Sequence, residues 1–209
     1  MGLRAVVFDY GMVLSGPQHP ESHEMLKRIT GLPHDEFERY YWADRHDYDR
    51  GALSGITFWQ KVAKEAGLTL TDVEIAELND HDARMWTTAN PEMIAWHKAL
   101  KERGLKTAIL SNMGDSVLEN IERSFDWIKE FDVLVWSYQL LLAKPEPEIY
   151  EYVLEKLETA PEETLFLDDK MVNIEAAHKL GIQALQFSTV EQLRQDLIST
   201  GLDEELPLP

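Results

Sequence analysis

Four short segments carry polar groups able to do chemistry, and three of them stand at the end of an apolar run. Asp9 closes Leu3-Arg4-Ala5-Val6-Val7-Phe8, apolar at five of six positions, and is followed by Tyr10-Gly11. Ala108-Ile109-Leu110 runs into Ser111-Asn112, and Thr164-Leu165-Phe166-Leu167 ends in the paired acids Asp168-Asp169. The fourth segment, Ala143-Lys144-Pro145, sets a lone Lys ahead of a helical stretch. Runs this rich in Val, Leu, Ile and Phe read as strands buried on both faces. Polar groups at their carboxyl ends stand where open α/β sheets hold ligands. The set Asp9, Ser111, Lys144, Asp168-Asp169 therefore reads as one site that combines carboxylates, a hydroxyl and an ammonium. Taken singly, each residue also has an ordinary structural use: the acids, Ser111 and Asn112 as turn or capping residues, and Lys144 as a surface charge.

The elements that must position these groups alternate. Strands are expected near 3–8, 105–110, 131–136, 164–168 and 182–187, with helical segments between them. Such alternation implies a parallel sheet with right-handed crossovers, a three-layer α/β/α Rossmann-like core. Asn90-Pro91-Glu92 starts a helix that stops at Gly104, with Pro just inside the start and Gly just past the end. Between the first two strands lies an all-helical block, with helices near 21–30, 35–48, 55–66 and 71–85. Thr71-Asp72-Val73-Glu74 supplies the capping pattern of the last. That block is longer than a crossover requires, so residues 16–87 are expected to form an inserted helical cap. Residues 1–15 and 88–209 are expected to form the catalytic core.

A chain of 209 residues with 44% hydrophobic content can bury a full core. Its net charge of −18 argues against nucleic acid or an anionic membrane as partner, because phosphate-backbone binding needs clustered Lys and Arg. A small phosphorylated substrate needs only a few local cations and N–H groups and stays compatible. The absence of cysteine excludes disulfides, thiolate chemistry and Cys-ligated zinc. No run of about 18 apolar residues could span a membrane, no signal-peptide pattern opens the chain, and a cytoplasmic location is the default expectation. The tail Asp203–Pro209 is expected to be frayed.

The four segments in this order resemble the motifs of the haloacid dehalogenase superfamily, most of whose members are phosphatases with an aspartate nucleophile. Phe8-Asp9-Tyr10-Gly11-Met12-Val13-Leu14 is similar to the first motif and Leu110-Ser111-Asn112 to the second. Lys144-Pro145-Glu146-Pro147-Glu148-Ile149-Tyr150 is similar to the third, and Leu167-Asp168-Asp169 through Asn173 to the fourth. The first motif is closest in style to small sugar-phosphate phosphatases that read Phe-Asp-x-Gly-x-Val.

The resemblance implies catalysis by Asp9, Ser111 and Lys144, with Asp9 as nucleophile forming an aspartyl-phosphate. It implies phosphate binding by Ser111, Asn112 and Lys144, and a metal held by Asp9, the Gly11 carbonyl, Asp168 and Asp169. Attack of a carboxylate on a phosphate dianion requires an intervening cation, and Mg²⁺ suits an all-oxygen site. Asp169 is the expected direct ligand, Asp168 binds directly or through water, and Asn173, one turn on, either orients them or is an ordinary exposed helix residue. Gly11 departs from the common pattern, in which an Asp there donates a proton to the leaving oxygen.

The segment Arg39–Arg50 is expected to offer an aromatic platform. Asp44, His46 or Asp47 could touch substrate or act as an acid, and His19 and His23 could face the site. Two other readings use the same residues. A 2-haloacid dehalogenase would attack carbon with Asp9 and no metal; paired acids in the fourth motif and the lack of any Arg between Asp9 and Arg28 weigh against it. A non-catalytic phosphate-binding relative would explain Gly11 alone.

Overall fold

A computed structural model describes residues 2–208. Five strands, β1 (Ala5–Phe8), β2 (Lys106–Ser111), β3 (Val133–Trp136), β4 (Thr164–Asp168) and β5 (Gln183–Gln186), form one parallel sheet in the order β3-β2-β1-β4-β5. The strand β1 is central and pairs with β2 on one side and β4 on the other, so the strand order reverses around it. That is the topological position at which such sheets bind ligands.

The apolar runs are explained by two cores. Val6 and Phe8 point to one face of the sheet, and Ala5 and Val7 to the other. The first face is covered by α6 (Pro91–Glu102), α7 (Asp115–Ser124) and α11 (Val190–Thr200), through residues such as Trp96, Ile121 and Leu193. The second is covered by α9 (Pro147–Leu157) and α10 (Met171–Lys179), through Ile149, Val153 and Ile174. Each fully buried Val or Phe contributes roughly 1.5–3 kcal/mol, so strands sandwiched between helices must be continuously apolar. The three-layer α/β/α expectation holds. A short α8 (Ser137–Leu140) follows β3.

Between β1 and β2, α1 (Pro20–Thr30), α2 (His34–Ala43), α3 (Arg45–Asp49), α4 (Gly55–Glu65) and α5 (Asp72–Met85) precede α6. The chain enters and leaves this helical layer side by side. Ser15 and Ala89 form an antiparallel bridge, and Gly16 N–H donates to the Thr88 carbonyl at 2.7 Å. The expected single helix over 35–48 is two helices. The chain breaks at Asp44 (φ −116°, ψ 13°), whose carboxylate is held by Lys61 Nζ at 2.6 Å, and the next turn is redirected so that Arg45 and Tyr48 are buried.

The described part of the tail is not frayed. Leu206 is completely buried in the first core and its N–H donates to the Leu202 carbonyl at 2.8 Å. Leu3 N–H donates to Glu205 Oε1, and Arg103 Nη2 to the Glu204 carbonyl at 3.2 Å. A polar, proline-rich composition concealed one apolar anchor; Pro209 lies outside the described residues. No helix among the described residues is long and apolar enough to cross a membrane.

Leu206→Ala should therefore lower stability by about 2–5 kcal/mol in urea unfolding, as removal of a fully buried leucine does. A change within experimental error would return the tail to the frayed state.

Candidate active site

Register brings the acids together. Phe8 pairs with Leu167, so the next residues, Asp9 and Asp168, emerge side by side at the carboxyl ends of β1 and β4. Asp9 N–H donates to the Leu167 carbonyl at 2.8 Å, and Asp9 Oδ1 accepts the N–H of Tyr10 at 2.7 Å. After Asp9 the chain curls through Gly11 (φ −61°, ψ 129°) and Met12 (φ 60°). Met12 N–H is caught by Ser15 Oγ at 3.0 Å.

Lys144 is the hub. Its ammonium lies 2.9 Å from Asp9 Oδ1 and 2.6 Å from Asp168 Oδ2, and the residue is only 3% exposed. The lysine's backbone is clamped by Asn112: Lys144 N–H donates to Asn112 Oδ1 at 2.8 Å, and Asn112 Nδ2 donates to the Lys144 carbonyl at 2.8 Å. The second segment thus fastens the third, a role for the Asn112 side chain that sequence alone did not disclose.

Asp168 is fully buried and saturated. Besides Lys144, it accepts Asn173 Nδ2 at 2.9 and 3.0 Å and Lys170 N–H at 2.8 Å. Asp169 is more open and lines the central cavity, while Asp168 sits behind it. Oxygens of Asp9, Asp168 and Asp169 all lie within 4.8 Å of one another. Three hard carboxylate donors this close, with one ammonium between them, fit a cation such as Mg²⁺.

The electrostatics agree. Burial pushes the Asp9 carboxyl up to about 6; Lys144 opposes the shift and Asp168 adds to it. Burial and then Asp168 also raise Asp169. Burial works against the Lys144 ammonium, but Asp168 and Asp9 outweigh it and hold its pKa above the ordinary lysine value.

The cavity is about 710 Å³ and includes Asp9, Gly11, Ser111, Asn112, Lys144, Asp169, Lys170 and Asn173 in its lining. All the sequence-derived site residues except Asp168 thus reach it, and Asp168 stands immediately behind. From the helical layer it receives Trp42, Arg45, His46, Asp49 and Trp86. Of the expected candidates there, His46 reaches the cavity. Asp44 and Asp47 do not line it, and Asp44 pairs instead with Lys61. His23 turns to Glu38 Oε1 at 2.7 Å on α2, and His19 lines a separate cleft with His81, Arg84 and Thr87 at the end of α5.

Sequence reasoning missed Arg45. Its Nη1 lies 2.9 Å from both Asp82 oxygens and donates to the Tyr41 hydroxyl, and its Nε donates to Asp49 Oδ1 at 3.0 Å. The rings of Tyr41 and Tyr48 stand 5.1 and 4.9 Å from its guanidinium carbon. The signal was the i,i+4 pair Arg45–Asp49 with Tyr41 one turn before and Tyr48 within it, which resembles a solvated helix face.

The sequence model of haloacid dehalogenase-like hydrolases matches residues 3–181. The bifunctional epoxide hydrolase 2 of Rattus norvegicus is 33% identical over 231 residues, covering 100% of this chain but 41% of that protein. The chain thus spans about two fifths of the length of that relative. A phosphatase of Mycobacterium tuberculosis is 29% identical over 221 residues, covering 96% of both chains. Two solved structures share the fold. An HAD family enzyme from Bacteroides thetaiotaomicron, in complex with magnesium and inorganic phosphate, has a TM-score of 0.71 at 24% identity over 90% of this chain and 95% of that one. The L-2-haloacid dehalogenase of Xanthobacter autotrophicus with chloropropionic acid covalently bound has a TM-score of 0.66 at 21% identity over 96% and 84%.

Lys144→Met should cost about 3–5 kcal/mol at neutral pH, because it strands two buried carboxylates. The deficit, read by urea unfolding, should shrink as pH falls and the unpaired Asp9 takes up a proton. Unchanged stability at neutral pH would show that the ammonium does not hold the acids together.

Proposed function

The chain belongs to the haloacid dehalogenase-like hydrolases, and from that premise we propose that it is a Mg²⁺-dependent phosphatase. It would act in the cytoplasm on a small phosphorylated metabolite, a sugar phosphate being the expected class, through an aspartyl-phosphate on Asp9. The observation that carries this reading is the convergence of Asp9, Asp168 and Asp169 within 4.8 Å around a single buried lysine. The phosphatase of M. tuberculosis, similar along nearly its whole length, supports it.

In this reading helices α1–α5, residues 16–87, act as a cap over the catalytic core of residues 1–15 and 88–209. Asp9 is the nucleophile, with Oδ1 fixed by Tyr10 N–H and Lys144 so that Oδ2 faces the substrate. Ser111, 2% exposed, and Asn112 receive the phosphoryl oxygens beside Lys144. Asp9, Asp169 and the Gly11 carbonyl would hold Mg²⁺, with Asp168 behind, and the bound ion offsets the repulsion between carboxylate and phosphate. Asn173 and Lys170 N–H keep Asp168 aligned. The apolar part of the cavity, with Trp42, Trp86 and Met113, receives the body of the substrate.

A dehalogenase would use the same Asp9, and Arg45 supplies a cationic group at the cavity that a departing halide could meet. Arg45 is already closed by Asp49 and Asp82, and a metal-free reaction leaves the third carboxylate at the centre without a task. A purely phosphate-binding relative would not need Asp9 buried beside Lys144.

Phosphate release should require a divalent cation and stop with EDTA, and Asp9→Asn should remove turnover while leaving the fold, read by circular dichroism, intact. Turnover in EDTA, or halide release from 2-chloropropionate, would favour the dehalogenase. Without metal, the raised Asp9 pKa means that folding is favoured by the proton on Asp9, a contribution lost as pH rises through about 6. Mg²⁺ competes with that proton, so the melting-temperature rise it produces should be larger at roughly pH 7.5 than at roughly pH 5. An equal rise at both would place the ion elsewhere.

A further inference from the structure

Gly11 leaves the proposed reaction without a proton for the departing oxygen, and the cavity contains one carboxylate to which no catalytic role has been given. Of the three acids that line it, Asp9 is the nucleophile and Asp169 faces the metal position; the third is Asp49, the last residue of α3. We infer that Asp49 is the general acid of this enzyme, an inference that rests on the phosphatase reading.

The end of α3 is fastened to the loops that carry the catalytic groups. Ser137 Oγ donates to the Asp49 carbonyl and accepts Met113 N–H at 2.8 Å, next to Asn112. Arg50 grips Glu146, two residues beyond Lys144, with Nε–Oε1 at 2.8 Å and Nη2–Oε2 at 3.0 Å. Gly51, at φ +87°, lies so near Tyr138 that a Cβ would stand 2.5 Å from its carbonyl oxygen, so this contact requires glycine. Asp49 is thus held at a set position over the site, as a proton donor must be.

The side chain is oriented as well. Arg45 Nε holds Oδ1 at 3.0 Å, and Oδ2 makes no hydrogen bond among the described residues. The charged groups facing it are Arg45 on its own helix, Asp82 on α5 and Lys170 at the start of α10. Burial raises the carboxyl above its ordinary range; Arg45 and Lys170 oppose the shift and Asp82 adds to it. The other candidates fit less well. His46 is exposed, and the Tyr10 hydroxyl is committed to the Trp86 carbonyl at 2.8 Å.

In the first step Asp9 Oδ2 forms a bond to phosphorus as the ester P–O bond breaks, and the leaving oxygen takes the proton from Asp49 Oδ2. In the second, Asp49, now a carboxylate, takes a proton from water as the water oxygen bonds to phosphorus and the Asp9–phosphorus bond breaks. Phosphate leaves, and both acids return to their starting states.

The test compares Asp49→Asn with the parent by kcat/KM on 4-nitrophenyl phosphate, whose leaving oxygen departs without a proton, and on a simple alkyl phosphate. The alkyl rate should fall about 10²–10⁴-fold further than the aryl rate. Adding Gly11→Asp should restore alkyl turnover, since Gly11 has an ordinary φ of −61° and a Cβ there meets only Trp86 Cζ3 at 3.9 Å. Equal losses on both substrates, or a selective alkyl loss in His46→Asn instead, would overturn the assignment. Should the Asn variant fail to fold, Asp49→Ser carries the same comparison. A parent that hydrolyses neither ester would refute the phosphatase reading itself, a result separable from failure of Asp49 alone.

Discussion

Everything at the centre of this protein depends on one buried ammonium. Taking a lysine and two carboxylates out of water costs several kcal/mol per ion and is tolerated only when the partners are close and their remaining hydrogen bonds are met. Lys144 meets that condition, at 2.9 Å from Asp9 and 2.6 Å from Asp168. The rest of the site follows from keeping it there. Asn112 clamps its backbone, Asn173 and Lys170 N–H complete Asp168, and β1 and β4 are paired in the register that sets Asp9 beside Asp168. One ammonium among three acids still leaves more carboxylates than cations at the centre, an arrangement that suits the proposed Mg²⁺.

The helical layer repeats the device with the same signs, one buried cation between two carboxylates. Arg45 is the buried cation and Asp82 and Asp49 its carboxylates, with Tyr41, Tyr48 and Phe58 around the guanidinium. The two ion clusters border one cavity, and the ties through Ser137 and Glu146 fix their separation. In the proposed reaction a proton can be placed with precision only if both clusters are rigid, which the charge-assisted bonds and the close glycine contact between layer and sheet would secure.

The sheet and the core of the site were legible in the sequence because strands buried on both faces must be apolar, so a polar residue at the end of one stands out. Asp9, Ser111, Asp168 and Asp169 were visible for that reason, Lys144 only through the family resemblance of Lys144-Pro145-Glu146-Pro147-Glu148-Ile149-Tyr150, and Asn173 through its spacing to Asp169. The contribution of the helical layer was not legible. Arg45, Asp49 and Asp82 lie on short helices rich in charge, where burial is decided by how the helices pack. The break at Asp44, which redirects α3, depends on Lys61 nearly two helices away. His19 and His23 failed as candidates for the same reason, since proximity in sequence to Asp9 did not carry them across the layer. In the tail, Leu206 was hidden by its polar neighbours and recognised only by the groove it fills.

Covalent attack by Asp9 is tested most directly by a rapid acid quench during turnover of an aryl phosphate with Mg²⁺, followed by mass spectrometry of the peptide that carries Asp9. One phosphoryl group should appear on Asp9, rise to a steady level within the first turnover and vanish when substrate is exhausted. Turnover with an unmodified Asp9 peptide throughout, or with the phosphoryl group on another residue, would exclude Asp9 as the covalent nucleophile.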